Sequence, residues 1–187
     1  MLISSDVNVI ANIIAQGGLV AYPTEAVFGL GCDPHNQATV QRLLGIKQRP
    51  VEKGLIVIAA QRSQLTHYIV PPDRALEVQL AQTWPGATTW LIEASQSVPV
   101  WIRGSHSTIA VRVSAHPACQ QLCLATQSAL VSTSANPASY EPARTIATLC
   151  DYFSDTDIDA IFDAPLGQSL QPTEIRDSRS NRIIRPS

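Results

Sequence analysis

The chain has 187 residues, of which 45% are hydrophobic and 15% charged, with a net charge of −2. That is enough chain to bury a core without disulfides or a metal, and too apolar a composition for a disordered protein. No apolar run approaches the roughly 20 residues of a membrane-spanning helix, and the negative charge argues against a dedicated nucleic-acid binder. The opening Met1-Leu2-Ile3-Ser4-Ser5-Asp6 has no basic n-region, so no signal peptide is expected and a cytoplasmic protein is the default.

In chain order, Asp6 caps a predicted helix with Val9, Ile10, Ile13 and Ile14 at helical spacing, stopped by Gly17-Gly18. Leu19–Tyr22 reads as a short buried strand broken at Pro23, and Gly29, Gly31 and Pro34 read as a loop. Asn36 caps a helix with Val40, Leu43, Leu44 and Ile46 on its apolar side, with Pro50 just beyond it. Leu55–Ala59 is the clearest buried strand, and Asp73 starts a helix to Trp84, ended by Pro85-Gly86. Thr88–Ile92 and Thr108–Val113 read as strands, His116–Thr126 as a helix, and Ala129–Ser132 as a strand followed by a loop containing Pro137 and Pro142. Thr145 caps a helix through Phe153, and Ala160–Phe162 and Arg182–Arg185 are late strands. Helices and strands alternate without a linker or repeat. One α/β domain over residues 1–187, built on a mixed sheet, is the expectation.

The four cysteines, Cys32, Cys119, Cys123 and Cys150, form no CxxC pair and read as buried, reduced thiols rather than metal ligands. The histidines, His35, His67, His106 and His116, are scattered and read as surface or capping residues. Lys47 and Lys53 are the only lysines, with Arg42 and Arg49 beside them, and Arg176, Arg179, Arg182 and Arg185 close the chain. Local basic clusters in an acidic protein suit a small anionic ligand better than a long polyanion.

Three polar segments interrupt the apolar framework: Tyr22–Ala26, Lys47–Pro50 with Lys53 beyond it, and Ser132–Asn136. Two lie at predicted strand ends, where ligands of open α/β sheets gather. Lys47 and Arg49 can form a phosphate cradle with nearby hydroxyls; the alternative is two solvated cations favouring a helix C-terminus. Ser132-Thr133-Ser134 has no GxSxG elbow and no recognisable base partner. Its hydroxyls read as donors to phosphate or carboxylate, or as a strand-end turn. Neither GxxxxGK[ST] nor GxGxxG occurs.

Taken together, "AYPTEAVFGLGCDP", "KQRPVEKGLIVI", "WPGATT", "AVRVSAHP", "STSAN", "TEIRD" and "IIRP" resemble, in order and spacing, the YrdC-like threonylcarbamoyl-AMP synthase family, from about Ile10 to Arg185, in its short (TsaC) branch. The resemblance implies a twisted, mixed sheet flanked by helices, with the active site in a concave basic cleft. It implies an enzyme, a nucleotidyltransferase, that joins L-threonine, bicarbonate and ATP into L-threonylcarbamoyladenylate and pyrophosphate. The product would serve N6-threonylcarbamoyladenosine modification of tRNA through downstream threonylcarbamoyl-transferase machinery.

The family's KxR and SxN pairs fall on Lys47, Arg49, Ser134 and Asn136, implied as catalytic. ATP contacts are implied at Lys47, Arg49, Lys53, Thr108, Ser134 and Arg185. Threonine contacts are implied at Thr24, Arg112, Ser132 and Thr173, with Arg112 on the carboxylate. Mg²⁺ is expected with ATP, held by phosphates and water, with no protein metal site. Ala26, Gly54 and the glycine-free Asn136–Tyr140 depart from the usual "PTET", "KPL" and "SANxSG", which also leaves the parts of Pro142 and Arg144 open. The rival reading is a non-catalytic RNA-binding module, and contact with RNA or tRNA is a further expectation from the resemblance.

Overall fold

The computed structural model describes residues 1–154 and 157–186. Among these residues ten strands form one mixed sheet. In chain order they are β1 (Leu2–Ser4), β2 (Val20–Pro23), β3 (Phe28–Gly31), β4 (Ile56–Ala59), β5 (Thr88–Glu93), β6 (Thr108–Val113), β7 (Leu130–Ser134), β8 (Ala160–Phe162), β9 (Glu174–Asp177) and β10 (Ile183–Arg185). The spatial order is β1-β8-β2-β3-β7-β4-β6-β5-β9-β10. Pairing is parallel at β1–β8, β8–β2, β4–β6 and β5–β9, and antiparallel elsewhere.

Among the described residues six α-helices accompany the sheet: α1 (Val7–Ala15), α2 (Gln37–Ile46), α3 (Arg74–Thr83), α4 (Val100–Arg103), α5 (Pro117–Ala125) and α6 (Ile146–Tyr152). Four begin where a short polar side chain accepts an otherwise unpaired first-turn N–H. Asp6 accepts from Asn8, Asn36 from Thr39, Asp73 from Leu76 and Thr145 from Thr148, the caps that the sequence predicts.

Strand alternation sorts the core onto two faces. Val20, Tyr22, Ile58, Leu130 and Phe162 pack against Ile10 and Ile14 of α1 and Cys119, Leu122 and Cys123 of α5. Leu19, Ala21, Val57, Val111 and Val131 face the other way, onto Val40, Leu43 and Leu44 of α2, Leu80 of α3, Ile102 of α4 and Leu149 of α6. Cys32, Cys119 and Cys123 are buried free thiols as expected, whereas Cys150 is exposed. Burial pushes the Cys119 thiol up to about 12. His35, His67 and His106 are exposed, but His116, at the N-cap of α5, is only 7% exposed and its side chain makes no capping bond.

Three strands depart from the sequence expectation. β1 and β9 were not anticipated, and β3 replaces the predicted loop at Gly29 and Gly31. The glycines are there for space. A Cβ on Gly31 would lie 2.4 Å from the Val131 carbonyl oxygen and 2.6 Å from Tyr22 Cε1, so only glycine lets β3 lie between the Tyr22 ring and β7.

The loop after β7 shows the converse. Ser139 adopts φ 69°, so the left-handed turn persists where the resembled family carries glycine, at the cost of placing a Cβ there. Ser139→Gly is therefore expected to stabilise the protein by about 0.5–1 kcal/mol, and Gly31→Ala to destabilise it by about 1–3 kcal/mol through overpacking. Thermal denaturation of the two variants, which should move Tm in opposite directions, checks both.

Candidate active site

α1 and α5 cover only part of their face of the sheet. Ile58 and Leu130 lie beneath these helices, but the next same-face residues along the strands, Ile56 and Ser132, open into a cavity of about 420 Å³. Its floor is a row of paired residues on adjacent strands: Ser132 beside Ile56, Ile56 beside Ala110, and Ala110 beside Leu91. The small side chains of Ala110 and Ser132, with Gly29 at the margin, leave the space. Its walls carry Arg49, Lys53, Arg103, Arg112 and Arg185, with hydroxyls from Thr24, Thr108, Ser132, Ser134 and Thr173. No carboxylate is among the lining residues, so the cleft is basic by local arrangement in an acidic chain.

Thr24, Arg49, Lys53, Thr108, Arg112, Ser132, Ser134, Thr173 and Arg185, from elements far apart in the chain, thus share one cavity. Lys47 and Asn136 do not line it. Lys47, the C-cap of α2, reaches behind the β7 loop. Its Nζ donates to the Ser134 carbonyl at 2.9 Å, to the Asn136 carbonyl at 2.7 Å and to Asn136 Oδ1 at 2.7 Å. Ser134 Oγ lies farther off, at 3.4 Å; an ammonium has three protons, and the three closer acceptors fill it. Asn136 Nδ2 donates onward to the Pro137 and Tyr140 carbonyls at 2.9 and 2.7 Å. The KxR and SxN segments are therefore joined by direct hydrogen bonds, with the lysine organising the loop that presents Ser134. Burial, and then Arg49, lower the Lys47 pKa to about 8.

Arg49 wraps the turn after Pro50, donating from Nε and Nη2 to the Gly54 carbonyl at 3.1 and 2.9 Å. Gly54 has φ 62° and a Cβ there would meet the Arg103 carbonyl oxygen at 2.9 Å. Proline, fixed near φ −65°, could not take this conformation, which glycine adopts without a Cβ penalty. Burial lowers the pKa of Arg49.

Arg112, in β6, is the deepest cation, its side chain 5% exposed. Nη1 donates to Thr173 Oγ1 at 2.7 Å and Nη2 lies 3.3 Å from Glu25 Oε2. Its buried Nε has no hydrogen-bond partner among the described residues. Arg185 donates to the Thr173 carbonyl at 2.7 Å, and its pKa is lowered by burial and then by Arg112. Thr24 Oγ1 donates to the Val27 carbonyl at 2.6 Å, which leaves the hydroxyl an acceptor toward the cavity.

Arg103 and His106 also line the cavity. Neither was singled out from sequence, although both stand among polar residues just before β6, at a strand start that could have flagged them. Among the described residues, no three His, Cys, Asp or Glu side chains converge to hold a metal ion, and no helix is long and apolar enough to cross a membrane.

The family described as "Telomere recombination" (Sua5–YciO–YrdC) matches residues 12–187. A protein of Halorhodospira halophila named threonylcarbamoyl-AMP synthase is 49% identical over 172 residues, 92% of this chain and 90% of that protein. A Pseudomonas aeruginosa protein of the same name is 49% identical over 178 residues, 95% of each. The crystal structure of P. abyssi Sua5 complexed with L-threonine superposes with a TM-score of 0.85 at 27% identity, covering 94% of this chain, which spans 53% of that longer one. On a match that takes in both the sheet and the cavity, the chain belongs to the Sua5–YciO–YrdC family.

Proposed function

We propose that this protein is a threonylcarbamoyl-AMP synthase, a nucleotidyltransferase that makes L-threonylcarbamoyladenylate and pyrophosphate from L-threonine, bicarbonate and ATP in the cytoplasm. The observation that carries the reading is Arg112. It is a buried cation with an unpaired Nε, set among hydroxyls in a cavity without carboxylates, in a chain whose relatives of matching length are named as such synthases. A buried, incompletely paired guanidinium is costly on its own and is relieved by a bidentate carboxylate. The names of these relatives do not favour a non-catalytic RNA-binding module. Incubation with threonine, bicarbonate and ATP should yield threonylcarbamoyladenylate by mass spectrometry. Absence of that product, with the protein folded, contradicts the proposal.

The chemistry needs no protein nucleophile. The threonine amine adds to CO2 with loss of a proton, or to bicarbonate with loss of water, to give a carbamate; a carbamate oxygen then attacks the α-phosphorus as the bond to the β-phosphate breaks, and pyrophosphate leaves. Positioning and charge stabilisation supply most of the catalysis in phosphoryl-type transfers. Arg112 and Thr173 receive the carboxylate, while Thr24 accepts from the amine or side-chain hydroxyl and Ser132 lies beside them. Arg49, Lys53 and Arg185 face the nucleotide's anionic groups, with Thr108 and Ser134 as hydroxyl donors. Lys47 and Asn136 act one step back, by fixing the loop that carries Ser134. Magnesium fits this donor set as the counter-ion that ATP brings on its phosphates, with lining hydroxyls as its available protein oxygens. The adenylate would pass to threonylcarbamoyl-transferase machinery acting on tRNA.

Two outcomes follow. A site that hydrogen-bonds the substrate hydroxyl rejects an analogue lacking it more strongly than one lacking a methyl, which is worth about 1–3 kcal/mol. Pyrophosphate release should therefore fall in the order threonine, serine, valine, and valine matching serine would remove the hydroxyl contact. The second concerns Lys47. Above its pKa of about 8 the amine keeps two protons for its three closest acceptors, so the loop loosens as pH rises. The pH profile of kcat/KM for ATP should show an alkaline limb near 8, which Lys47→Arg shifts upward. An unchanged limb in the variant assigns the titration elsewhere.

A further inference from the structure

We infer that Glu25 is the positioning residue for amino-acid recognition, holding the Arg112 fork at the angle that meets a carboxylate. This rests on Arg112 being the carboxylate clamp.

Glu25 follows Thr24 in the turn between β2 and β3, and its side chain is 13% exposed. It is fixed before any ligand arrives. Oε1 accepts from Ser114 Oγ at 2.7 Å, and its backbone carbonyl accepts from Ser169 N at 2.9 Å. Next to it the Thr24 carbonyl accepts from Gly167 N at 2.9 Å. Gly167 packs so closely that a Cβ would sit 2.3 Å from the Glu25 carbonyl oxygen. Gly167 and Ser169 therefore hold the Thr24–Glu25 main chain from one side while Ser114 holds the Glu25 carboxylate from the other.

Arg112 cannot swing freely between these supports. Thr173 Oγ1 takes Nη1 at 2.7 Å, and Oε2 of Glu25 stands 3.3 Å from Nη2. The Glu25–Arg112 contact is an ion pair without a well-aligned hydrogen bond, since Oε2 and Arg112 Nε both lack partners among the described residues. Glu25 thus offsets the buried charge without saturating the guanidinium, and leaves donors for an incoming anion. A carboxylate in the lining would compete with substrate, whereas one placed behind the arginine orients it. This is how an outer partner tunes a group that touches ligand.

The test compares binding of L-threonine with L-threoninol, which lacks the carboxylate, by titration calorimetry on the full chain, with ATP affinity and Tm measured alongside. The wild type is expected to prefer threonine by about tenfold or more, the scale of charge-assisted hydrogen bonds. In Glu25→Gln the amide keeps an acceptor for Ser114 but not the charge facing Nη2. Threonine should weaken by about tenfold while threoninol is little changed, so the ratio collapses toward one, with ATP affinity held within about threefold. Ser114→Ala, which frees the carboxylate from behind, should shift the ratio the same way by a smaller factor. A ratio retained or increased in Glu25→Gln overturns the inference, because Glu25 then only offsets buried charge. If that variant is too unstable to titrate, an unchanged ratio in Ser114→Ala overturns it instead and a reduced ratio supports it. A wild type without preference for threonine overturns the Arg112 assignment itself and the inference with it, which separates the two failures.

Discussion

The structure depends on one incomplete covering. Two helices, α1 and α5, bury part of a sheet face through Ile10, Ile14, Leu122 and Cys123, and beyond Ile58 and Leu130 the same face opens into the cavity. A bare sheet face of leucine and valine would be an aggregation surface. Here the same alternation that puts Ile58 and Leu130 under the helices puts Ser132, Ala110 and Arg112 in the open part. The strands change character along their length, apolar where covered and small or polar where open, so one sheet builds both core and site.

The open part gathers cations in a way that costs stability and prepares binding. Arg49 and Arg185 in the cavity wall, and Lys47 outside it behind the β7 loop, donate to main-chain carbonyls, which fixes their positions without neutralising their charge. Burial lowers the pKa of each, the mark of charge held where water is scarce. Perturbed groups of this kind cluster at functional sites, and an anionic ligand relieves them. Glu25 is the counterweight. Placed behind Arg112 rather than in the cavity, it makes the deepest cation affordable to bury and leaves it able to bind.

Much of this was legible in the sequence, for identifiable reasons. Helix starts were readable because Asp6, Asn36, Asp73 and Thr145 cap through their own side chains, a local effect. Strand β4 was readable as an unbroken apolar run. β3 was not, because Gly29 and Gly31 signal a turn locally, and their reason for being there is the Tyr22 ring and the backbone of β7, supplied by distant parts of the chain. β9, Glu-Ile-Arg-Asp, has no apolar pattern and exists through pairing with β5 and β10. In the site, motif residues from six segments converge on one cavity. The sequence did not reveal that Lys47 faces the Asn136 loop rather than the cavity, because two cations two residues apart carry no information about which way a helix end turns them. The same limit hid Glu25, although it is the one acid between Leu19 and Leu30.

In the proposed function, the uncovered face binds threonine through Arg112 beside a nucleotide held by the outer cations. A crystal structure with L-threonine and a non-hydrolysable ATP analogue tests it most directly. The threonine carboxylate is expected within hydrogen-bonding distance of the Arg112 guanidinium, with Glu25 still behind it and the triphosphate on the side of Arg49 and Lys53. Threonine bound elsewhere, or in the cavity with its carboxylate away from Arg112, would contradict it.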